Sequence, residues 1–349
     1  YFHVTQRGGI RLNTAKAFLK SVRNRPNLRV QSGAQAKRVL MENRRATGVE
    51  MRVNGVDQVA MARGEVVLAA GAIGSPHLLE LSGIGRPETL QALGIDVRHA
   101  LPGLGENLQD HLQLRLIYKL KDALTLNTLS ASLWGKARIG LEYLLKRSGP
   151  MSMAPSQLGA FAKSDPSLET PDLEYHVQPL SLDRFGEPLH PFPALTASVC
   201  NLRPESRGSV HAVTPHFTDA PAIRPNYLST AGDRRVAAAA IRLTRRIMAQ
   251  PPMLKHDPAE YKPGIAFQND AELAQAAGQI GTTIFHPVGT AKMGGDEKAV
   301  VDERLRLHGI DGLRVIDASV MPTITSGNTN APVLMIAEKG AAMIRADRR

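Results

Sequence analysis

The sequence is poor in cysteine and in aromatic residues. Its 349 residues include one cysteine, Cys200, which cannot form an internal disulfide, so stability has to come from packing and a reducing compartment fits. Aromatic residues make up 4% of the chain, with one tryptophan, Trp134. Because aromatic residues are so sparse, no aromatic box for a quaternary ammonium can be placed, and no basic stripe is interleaved with aromatics for nucleic acid.

Long apolar runs and the residue spacings of several kinds of site are also missing. No apolar run is long enough to cross a bilayer and no signal peptide is evident, so the expected location is the cytoplasm, with peripheral attachment to the inner face of the membrane as the alternative. No His/Cys spacing predicts a metal site, and no serine–histidine–aspartate arrangement is evident. The first residue is Tyr1, so we expect the chain to start inside a longer protein or to have been processed.

Positive charge is what the sequence has in excess, with a net charge of +11 and a pI near 9.9. The basic residues occur as scattered pairs such as Arg44–Arg45 and Arg234–Arg235, so we interpret the charge as a solvated surface and expect no nucleic-acid partner. The alternative interpretations of this charge are binding to nucleic acid or to an anionic membrane, and a basic approach to an active site that attracts anions. With 43% hydrophobic and 21% charged residues, the length fits a soluble protein of two domains or one interleaved unit.

Periodicity and turn residues predict a mixed α/β chain. A helix is expected over residues 15–22, with Asn13 and Thr14 as its cap. The apolar run 65–70 predicts a strand buried on both faces, as in a parallel sheet. Further strands are expected around the Asn54–Gly55 turn and before it, and two more helices follow the apolar run. These strands are residues 27–30, 36–41, 48–53 and 58–61, and the helices run from Ser75–Pro76 to Gly83 and from Pro87 to Gly94.

The rest of the chain predicts a second domain and then a return to the first. Residues 112–225 alternate in hydrophobicity and contain many prolines, which is typical of an antiparallel sheet flanked by helices. Its expected strands are 112–120, 172–178 and 194–202, with a helix at 136–146. Residues 233–249 predict an amphipathic helix, with an apolar stripe formed by Val236, Ala240, Leu243 and Ile247. A buried strand at 313–317 and a closing helix at 331–345 complete the prediction.

Two segments near the end offer the chemistry of alcohol oxidation. His286, in the segment 286–290, is a candidate general base, because an imidazole titrates in the range needed to take a hydroxyl proton as the carbon loses hydride. Asn330, 44 positions later, can hold the oxygen through its amide. The alternatives are an ordinary histidine and a helix cap, and Asn328 fits the cap better. His111 is the next histidine candidate, and we interpret it as structural.

The run from Gly71 to Gly85 resembles, position for position, the second signature of the glucose–methanol–choline (GMC) family of flavin oxidoreductases. Other segments resemble this family in the same order, so that the resemblance covers essentially the whole chain. They are residues 107–111, 202–208, 225–228, 285–290 and 315–339. The chain is most similar to the bacterial choline dehydrogenase-like and alcohol dehydrogenase-like members.

The resemblance implies a fold, a cofactor and a reaction. The fold would be the remainder of a Rossmann-like FAD-binding domain plus a substrate domain, with residues 1–111 and 281–349 in the former and 112–280 in the latter. The cofactor would be FAD, and the reaction the oxidation of a primary alcohol to an aldehyde, with oxygen or a quinone-type compound as electron acceptor. His286 would be the base and Asn330 would orient the substrate oxygen.

The resemblance also implies which residues contact FAD. They lie at the adenine, along the ribityl chain, and at the start of the last helix, whose free N–H groups would face the pyrimidine edge of the flavin. They are Ala36, Gly71, Ser75, Asp317, Ala318, Pro332 and Val333. An ordinary turn at the end of a strand is the alternative for Asp317.

One departure from the family concerns the phosphates of the cofactor. Members open with Gly-x-Gly-x-x-Gly, which lets the backbone approach the pyrophosphate at a helix N-terminus. Neither Gly83-x-Gly85 nor Gly103-x-Gly105 completes this pattern. We therefore expect the chain to lack the pyrophosphate-binding part, and a non-catalytic remnant that does not retain FAD is the alternative function. The particular alcohol and the oligomeric state stay open.

Overall fold

A computed structural model describes residues 4–154, 156–184 and 186–347, and it divides into two compact units. Unit 1 contains Tyr1–Val30, Leu112–Asn201 and Ala231–Thr282, and unit 2 contains Gln31–His111, Leu202–Thr230 and Thr283–Arg349. The chain changes unit close to the expected domain boundaries at 111 and 280. It differs from the expectation in that residues 1–30 group with unit 1 and residues 202–230 with unit 2. The roles of the units in binding cofactor and substrate remain predictions.

The mixed α/β class is confirmed. In chain order, the strands are β1 (Gln6–Arg7), β2 (Ile10–Arg11), β3 (Ala34–Glu42), β4 (Arg45–Val53), β5 (Val56–Met61), β6 (Val66–Leu68), β7 (Ile84–Gly85), β8 (His99–Ala100), β9 (Leu112–Lys119), β10 (Leu158–Ala162), β11 (Leu173–Gln178), β12 (Ala194–Asn201), β13 (Ser209–His211), β14 (Ala222–Arg224), β15 (Ala259–Lys262), β16 (Gly281–Thr283) and β17 (Leu313–Val315).

The helices, also in chain order, are α1 (Lys20–Val22), α2 (Gly71–Leu81), α3 (Pro87–Ala92), α4 (Leu126–Leu129), α5 (Leu133–Lys146), α6 (Ala231–Met248), α7 (Pro251–Leu254), α8 (Asp270–Ile280) and α9 (Asn330–Asp347). A π-helical turn, Ala15–Leu19, precedes α1, and 3₁₀ turns lie at Pro150–Ser152 and Ala318–Val320. Asn13 caps the π-helical turn Ala15–Leu19 as predicted, because its Oδ1 accepts a hydrogen bond of 3.0 Å from the backbone N–H of Lys16.

Unit 1 is built on the antiparallel sheet that the sequence predicts. Its strand order is β10–β11–β12–β9–β15. The strands predicted at 112–120, 172–178 and 194–202 are confirmed as β9, β11 and β12. Side chains alternate between the faces, and one face carries apolar residues such as Leu116 and Val199 against α6. On this face the hydroxyl of Tyr175 lies 3.0 Å from that of Thr244 in α6.

The opposite face of the same sheet is polar and buried. Glu174 and His176 project from β11 to this face, and Cys200 lies across from Glu174 on β12. Side-chain atoms of metal-ligand type from these three residues lie within 4.8 Å of one another, and His176 Nε2 is 3.5 Å from Glu174 Oε1. Sequence spacing missed this cluster because the sheet register, rather than the chain, brings Cys200 to the pair.

The predicted amphipathic helix is confirmed as α6, but its predicted apolar stripe is fully buried at only one of the four residues. Ala240 is buried, whereas Val236 and Leu243 are half-buried and Ile247 is 42% exposed. A prediction from hydrophobicity assigns the larger aliphatic side chains to the buried face, but the helix packs mainly its small residues onto the sheet. The residues that it buries are Asp233, Ala237, Ala238, Ala240, Ile241, Thr244 and Met248.

Unit 2 contains the predicted β meander and the predicted parallel pair. Strands β3, β4 and β5 are antiparallel, and the turn Asn54–Gly55 has positive φ at both residues (49° and 85°), as a type I′ hairpin requires. Strand β6 pairs in parallel with β17. Around this pair lies the core of the unit, which includes Leu79, Ile84, Leu104, Val300 and Val315.

Two details of the predicted strands are wrong: the burial of the strand at 65–70 on both faces, and the strand at 27–30 of unit 1. Strand β6 covers only Val66–Leu68, and Val67 is 40% exposed between two buried neighbours, so the described residues cover only one face of it. Residues 27–30 form a turn instead of a strand, since the N–H of Leu28 donates to the carbonyl of Arg25 over 3.0 Å and residues 27–30 stay exposed.

Helix α2 starts earlier than the sequence predicts, at Gly71 rather than near Pro76. The carboxylate of Asp317 accepts the N–H of Gly71 over 2.9 Å and so caps the helix from a distant part of the chain. Pro76 consequently lies inside the helix, where it cannot donate to the carbonyl of Ala72. Thr290 replaces the missing donor, because its hydroxyl donates to this carbonyl over 2.7 Å.

We expect Thr290→Val to destabilise the protein by about 1–3 kcal/mol, since it keeps the side-chain shape but leaves the buried carbonyl of Ala72 without a donor. Thr290→Ser retains the hydroxyl and is the matched control. Urea unfolding followed by circular dichroism measures both variants. Equal transition midpoints for Thr290→Val and Thr290→Ser would contradict this role of the hydroxyl.

Candidate active site

His286 is held at a strained turn in unit 2. The preceding residue, Phe285, has a φ of +66°, a conformation that is costly for a bulky side chain. The carboxylate of Asp110 fixes the turn, because its Oδ1 accepts the N–H of His286 over 2.9 Å. Its Oδ2 accepts hydrogen bonds of 2.5 Å from the hydroxyls of Tyr227 and Thr283. The backbone of the candidate base is therefore fixed by one buried carboxylate.

Tyr227 acts as a hydrogen-bond donor to that carboxylate. Burial and then the negative charge of Asp110 raise the pKa of Tyr227 well above its usual value. The phenol consequently keeps its proton throughout the neutral range and continues to donate to Asp110.

The ring of His286 is paired with a second buried histidine. His286 Nδ1 lies 3.1 Å from His111 Nδ1, and the two rings meet edge to face. His111 Nε2 lies 3.1 Å from the carbonyl oxygen of Leu202, which can only accept, so His111 must donate there. A neutral His111 then has a lone pair on Nδ1, and the shared proton sits on His286 Nδ1. The Nε2 atom of His286 is left as the basic nitrogen.

The amide nearest to that nitrogen belongs to Asn328. Its Nδ2 lies 3.4 Å from His286 Nε2, consistent with donation to the lone pair. Asn330 is the first residue of α9 and is exposed, and Thr329 rather than Asn328 caps this helix, since the Thr329 carbonyl accepts the N–H of Val333 over 3.0 Å. The expectation that Asn328 is the helix cap is therefore wrong.

The segment Asn107–His111 holds the parts of this site together. Backbone bonds of 3.0 and 2.9 Å join Gln109 to Val288, and the side chain of Gln109 bonds the carbonyl of Pro322 (3.0 Å) and the N–H of Ile324 (3.1 Å). Asp110 and His111 contact the His286 turn as described above. One short segment thus positions both the 286–290 turn and the loop that leads to Asn328.

Four of the residues expected to contact FAD lie together at the carboxyl ends of β6 and β17. Gly71 follows β6 with a φ of +78°, and Asp317 and Ala318 follow β17. Besides Gly71, the carboxylate of Asp317 accepts the hydroxyl of Ser75 over 2.5 Å and the N–H of Ser319 over 2.8 Å. Asp317 and Ser75 are buried, so their side chains hold this turn in shape.

This arrangement fits a nucleotide cofactor. Ligands of α/β sheets bind outside the carboxyl ends of parallel strands, and Ala69, Ala70 and Gly71 are exposed or half-buried there. An added Cβ on Gly71 would meet no atom within 4 Å, so the space above this turn is open. Pro332 and Val333 are half-buried in the first turn of α9, and Ala36 is exposed on β3. The site assignments of these residues remain predictions.

Sequence reasoning missed the partners of His286. From the sequence, His111 is predicted to be structural and Asp110 is not among the predicted site residues, although both belong to the run Asn107–His111 that carries the family resemblance. One signal in the sequence could have identified Asp110 and His111. The segment Asn107–His111 is rich in polar residues and has no glycine or proline that would mark it as an ordinary turn. Nothing in the sequence indicates the contact of Asn328 with His286, because this contact depends on the conformation of the loop that precedes Asn328.

Two family models, both described as GMC oxidoreductase, match residues 1–113 and 204–337. Among curated relatives, the chain is 39% identical over 344 residues to an oxygen-dependent choline dehydrogenase of Vibrio vulnificus (strain YJ016) and 38% identical over 347 residues to an alcohol dehydrogenase [acceptor] of Pseudomonas putida. These matches cover 98% and 99% of this chain, which spans 61% and 63% of the lengths of the two relatives.

Solved structures are similar over almost the whole chain. Pyridoxine 4-oxidase from Mesorbium loti has a TM-score of 0.83 at 30% identity, covering 97% of this chain and 62% of that one. A formate oxidase from Aspergillus oryzae RIB40 has a TM-score of 0.90 at 26% identity, covering 98% and 64%.

Within the described residues, no helix combines the length and the apolar character needed to cross a membrane. The expected cofactor, FAD, is the cofactor of the family whose models match. The two models together account for most of the chain and agree with the relatives, so this protein belongs to the GMC oxidoreductase family.

Proposed function

We propose that this chain carries the proton-accepting part of an FAD-dependent enzyme that oxidises a primary alcohol to an aldehyde. The observation that carries the proposal is the oriented pair of histidines, in which the Leu202 carbonyl and His111 leave His286 Nε2 as the basic nitrogen. The two relatives named above are a choline dehydrogenase and an alcohol dehydrogenase, which supports an alcohol as substrate. Oxygen and a quinone-type compound remain alternatives as the electron acceptor.

In the proposed reaction, the hydroxyl proton of the alcohol moves to His286 Nε2 as the carbon–hydrogen bond breaks and the carbonyl forms. FAD, when bound, supplies the acceptor for the hydride at the N5 atom of its flavin ring. The positive charge that develops on His286 is stabilised by the bond from its Nδ1–H to His111. Asp110 contributes by keeping the His286 backbone in place.

Asparagine amides would hold the substrate oxygen. Asn330 is our candidate for this role, and Asn328 joins it because its amide already lies beside the basic nitrogen. An amide N–H directed at this oxygen stabilises the negative charge that builds up on it before the proton has fully left.

The residues that would hold FAD are the two strand ends and the start of α9. Gly71 and Ala318 would present backbone to the cofactor, with Ser75 and Asp317 keeping the turn in shape. Pro332 and Val333 lie in the first turn of α9, where the helix dipole favours negative charge. Ala36 would contact the adenine through its backbone.

We expect His286→Gln, in the FAD-loaded protein, to slow flavin reduction by the alcohol by roughly 10²–10⁴-fold, because the proton acceptor is lost. Stopped-flow absorbance of the flavin under anaerobic conditions measures this rate. His216→Gln, a change at an exposed histidine, is the matched control and should leave the rate unchanged. Reduction of His286→Gln at the wild-type rate would refute the assignment. A purified chain that holds no FAD would instead favour the non-catalytic alternative.

We expect His111→Phe to lower the rate by about tenfold or more and to move the acid limb of the pH–rate profile to lower pH, because His286 loses the acceptor of its Nδ1–H. His111→Gln is the conservative control, since one amide can donate to the Leu202 carbonyl and still accept from His286. Stopped-flow reduction across the pH range measures both effects. A purely structural role predicts a lower rate with no shift of the profile.

A further inference from the structure

Helix α5 of unit 1 exposes an unusual amount of apolar surface. The helix buries no residue, and five of its large apolar side chains are more than half exposed. Their exposed fractions are 84% for Leu133, 87% for Trp134, 57% for Leu141, 68% for Leu144 and 73% for Leu145. Single exposed apolar residues are ordinary, but a contiguous group of this size marks an interaction surface.

These residues form one stripe along the helix. At about 100° of rotation per residue, the five side chains and Ala137 fall within an arc of about 120°. Arg138 borders one edge of the arc, and Lys136 and Arg147 border the other. We name the six apolar residues the α5 face; they are Leu133, Trp134, Ala137, Leu141, Leu144 and Leu145.

The other side of the helix is attached to its own unit. Ile139 and Tyr143 are half-buried, and the hydroxyl of Tyr143 donates to the carbonyl of Gly9 over 3.2 Å. The backbone of Gly9 runs so close to α5 that an added Cβ would lie 2.2 Å from the carbonyl oxygen of Arg147. The N-terminal segment is thereby fixed next to the helix.

That segment is strongly basic. Residues 4–30 contain seven basic residues and no acidic one, and the first acidic residue of the chain is Glu42. All seven are exposed: Arg7, Arg11, Lys16, Lys20, Arg23, Arg25 and Arg29. The single acidic residue of α5, Glu142, accepts a hydrogen bond of 3.1 Å from Ser148. Positive charge therefore dominates the helix and the segment attached to it.

We propose that the α5 face and this basic segment bind the surface of an anionic phospholipid bilayer. A tryptophan and leucines along one side of a helix, with basic residues at both edges, are the features of helices that lie in the membrane interface. The basic segment supplies the attraction to anionic headgroups. A second copy of the chain is disfavoured as the occupant, because two such faces would bring like charges together. The proposal is independent of the proposed alcohol oxidation.

The single tryptophan of the chain makes the test specific. Trp134 lies in the α5 face, so its fluorescence reports on this face alone. The probe is a vesicle of about three parts phosphatidylcholine to one part phosphatidylglycerol, compared with pure phosphatidylcholine. We expect the chain to sediment with the anionic vesicles, the Trp134 emission to shift to the blue, and added salt to weaken the binding.

The double variant Leu141→Ser/Leu145→Ser keeps the tryptophan and removes two exposed apolar side chains that do not belong to the core. We expect it to lower partitioning into anionic vesicles by at least about tenfold. The matched control, Val56→Ser/Met61→Ser, changes two similarly exposed residues of β5 (62% and 65%) and should bind like the wild type. Circular dichroism checks that both variants keep the helix content.

Four outcomes would overturn the proposal. One is the absence of binding to anionic vesicles with unchanged Trp134 emission, and another is equal binding of the two double variants. A blue shift that grows with protein concentration in the absence of lipid would identify a second copy as the occupant. Retention on DNA with no lipid binding would assign the basic segment to nucleic acid instead.

Discussion

The arrangement of the candidate active site depends on the carboxylate of Asp110. A buried carboxylate is costly unless donors surround it, and here the N–H of His286 and the hydroxyls of Tyr227 and Thr283 supply them. Because these three donors come from separate parts of the chain, satisfying this one charge also brings the parts together. The same constraint holds Phe285 in its left-handed conformation. The hydrogen bonds that satisfy the Asp110 carboxylate therefore also stabilise the strained backbone at Phe285.

Local chemistry made part of the fold predictable. The Asn54–Gly55 hairpin, the cap at Asn13 and the strands of the unit 1 sheet follow from residues that are neighbours in sequence. The start of α2 does not, because the carboxylate that caps Gly71 comes from Asp317 and the hydroxyl that compensates for Pro76 comes from Thr290. The incomplete burial of the predicted stripe on α6 also results from contacts between distant parts of the chain. Close packing against a sheet selects small side chains, and hydrophobicity alone cannot indicate that selection.

Of the candidate site, the sequence predicts the base, His286, but not the residues that surround it. His286 stands out through its segment, whereas its partner His111 is separated from it by 175 positions and by the whole of unit 1's main sheet in sequence. Asn328 approaches the basic nitrogen only because Gln109 bonds the loop at Pro322 and Ile324. Residue type and spacing therefore identify the reacting group, while its orientation and protonation state are set by contacts that appear only in the folded chain.

The pair of histidines ends at a carbonyl, and this has a consequence for the order of events in the proposed reaction. The carbonyl of Leu202 can accept a hydrogen bond but cannot take up a proton at neutral pH. In the proposed reaction, a proton received at His286 Nε2 is therefore not passed on to the Leu202 carbonyl at the far end of the pair. The proton stays on the histidine pair while the aldehyde forms. His286 has to release it before it can accept the proton of the next alcohol, so renewal of the base is a step separate from the oxidation itself.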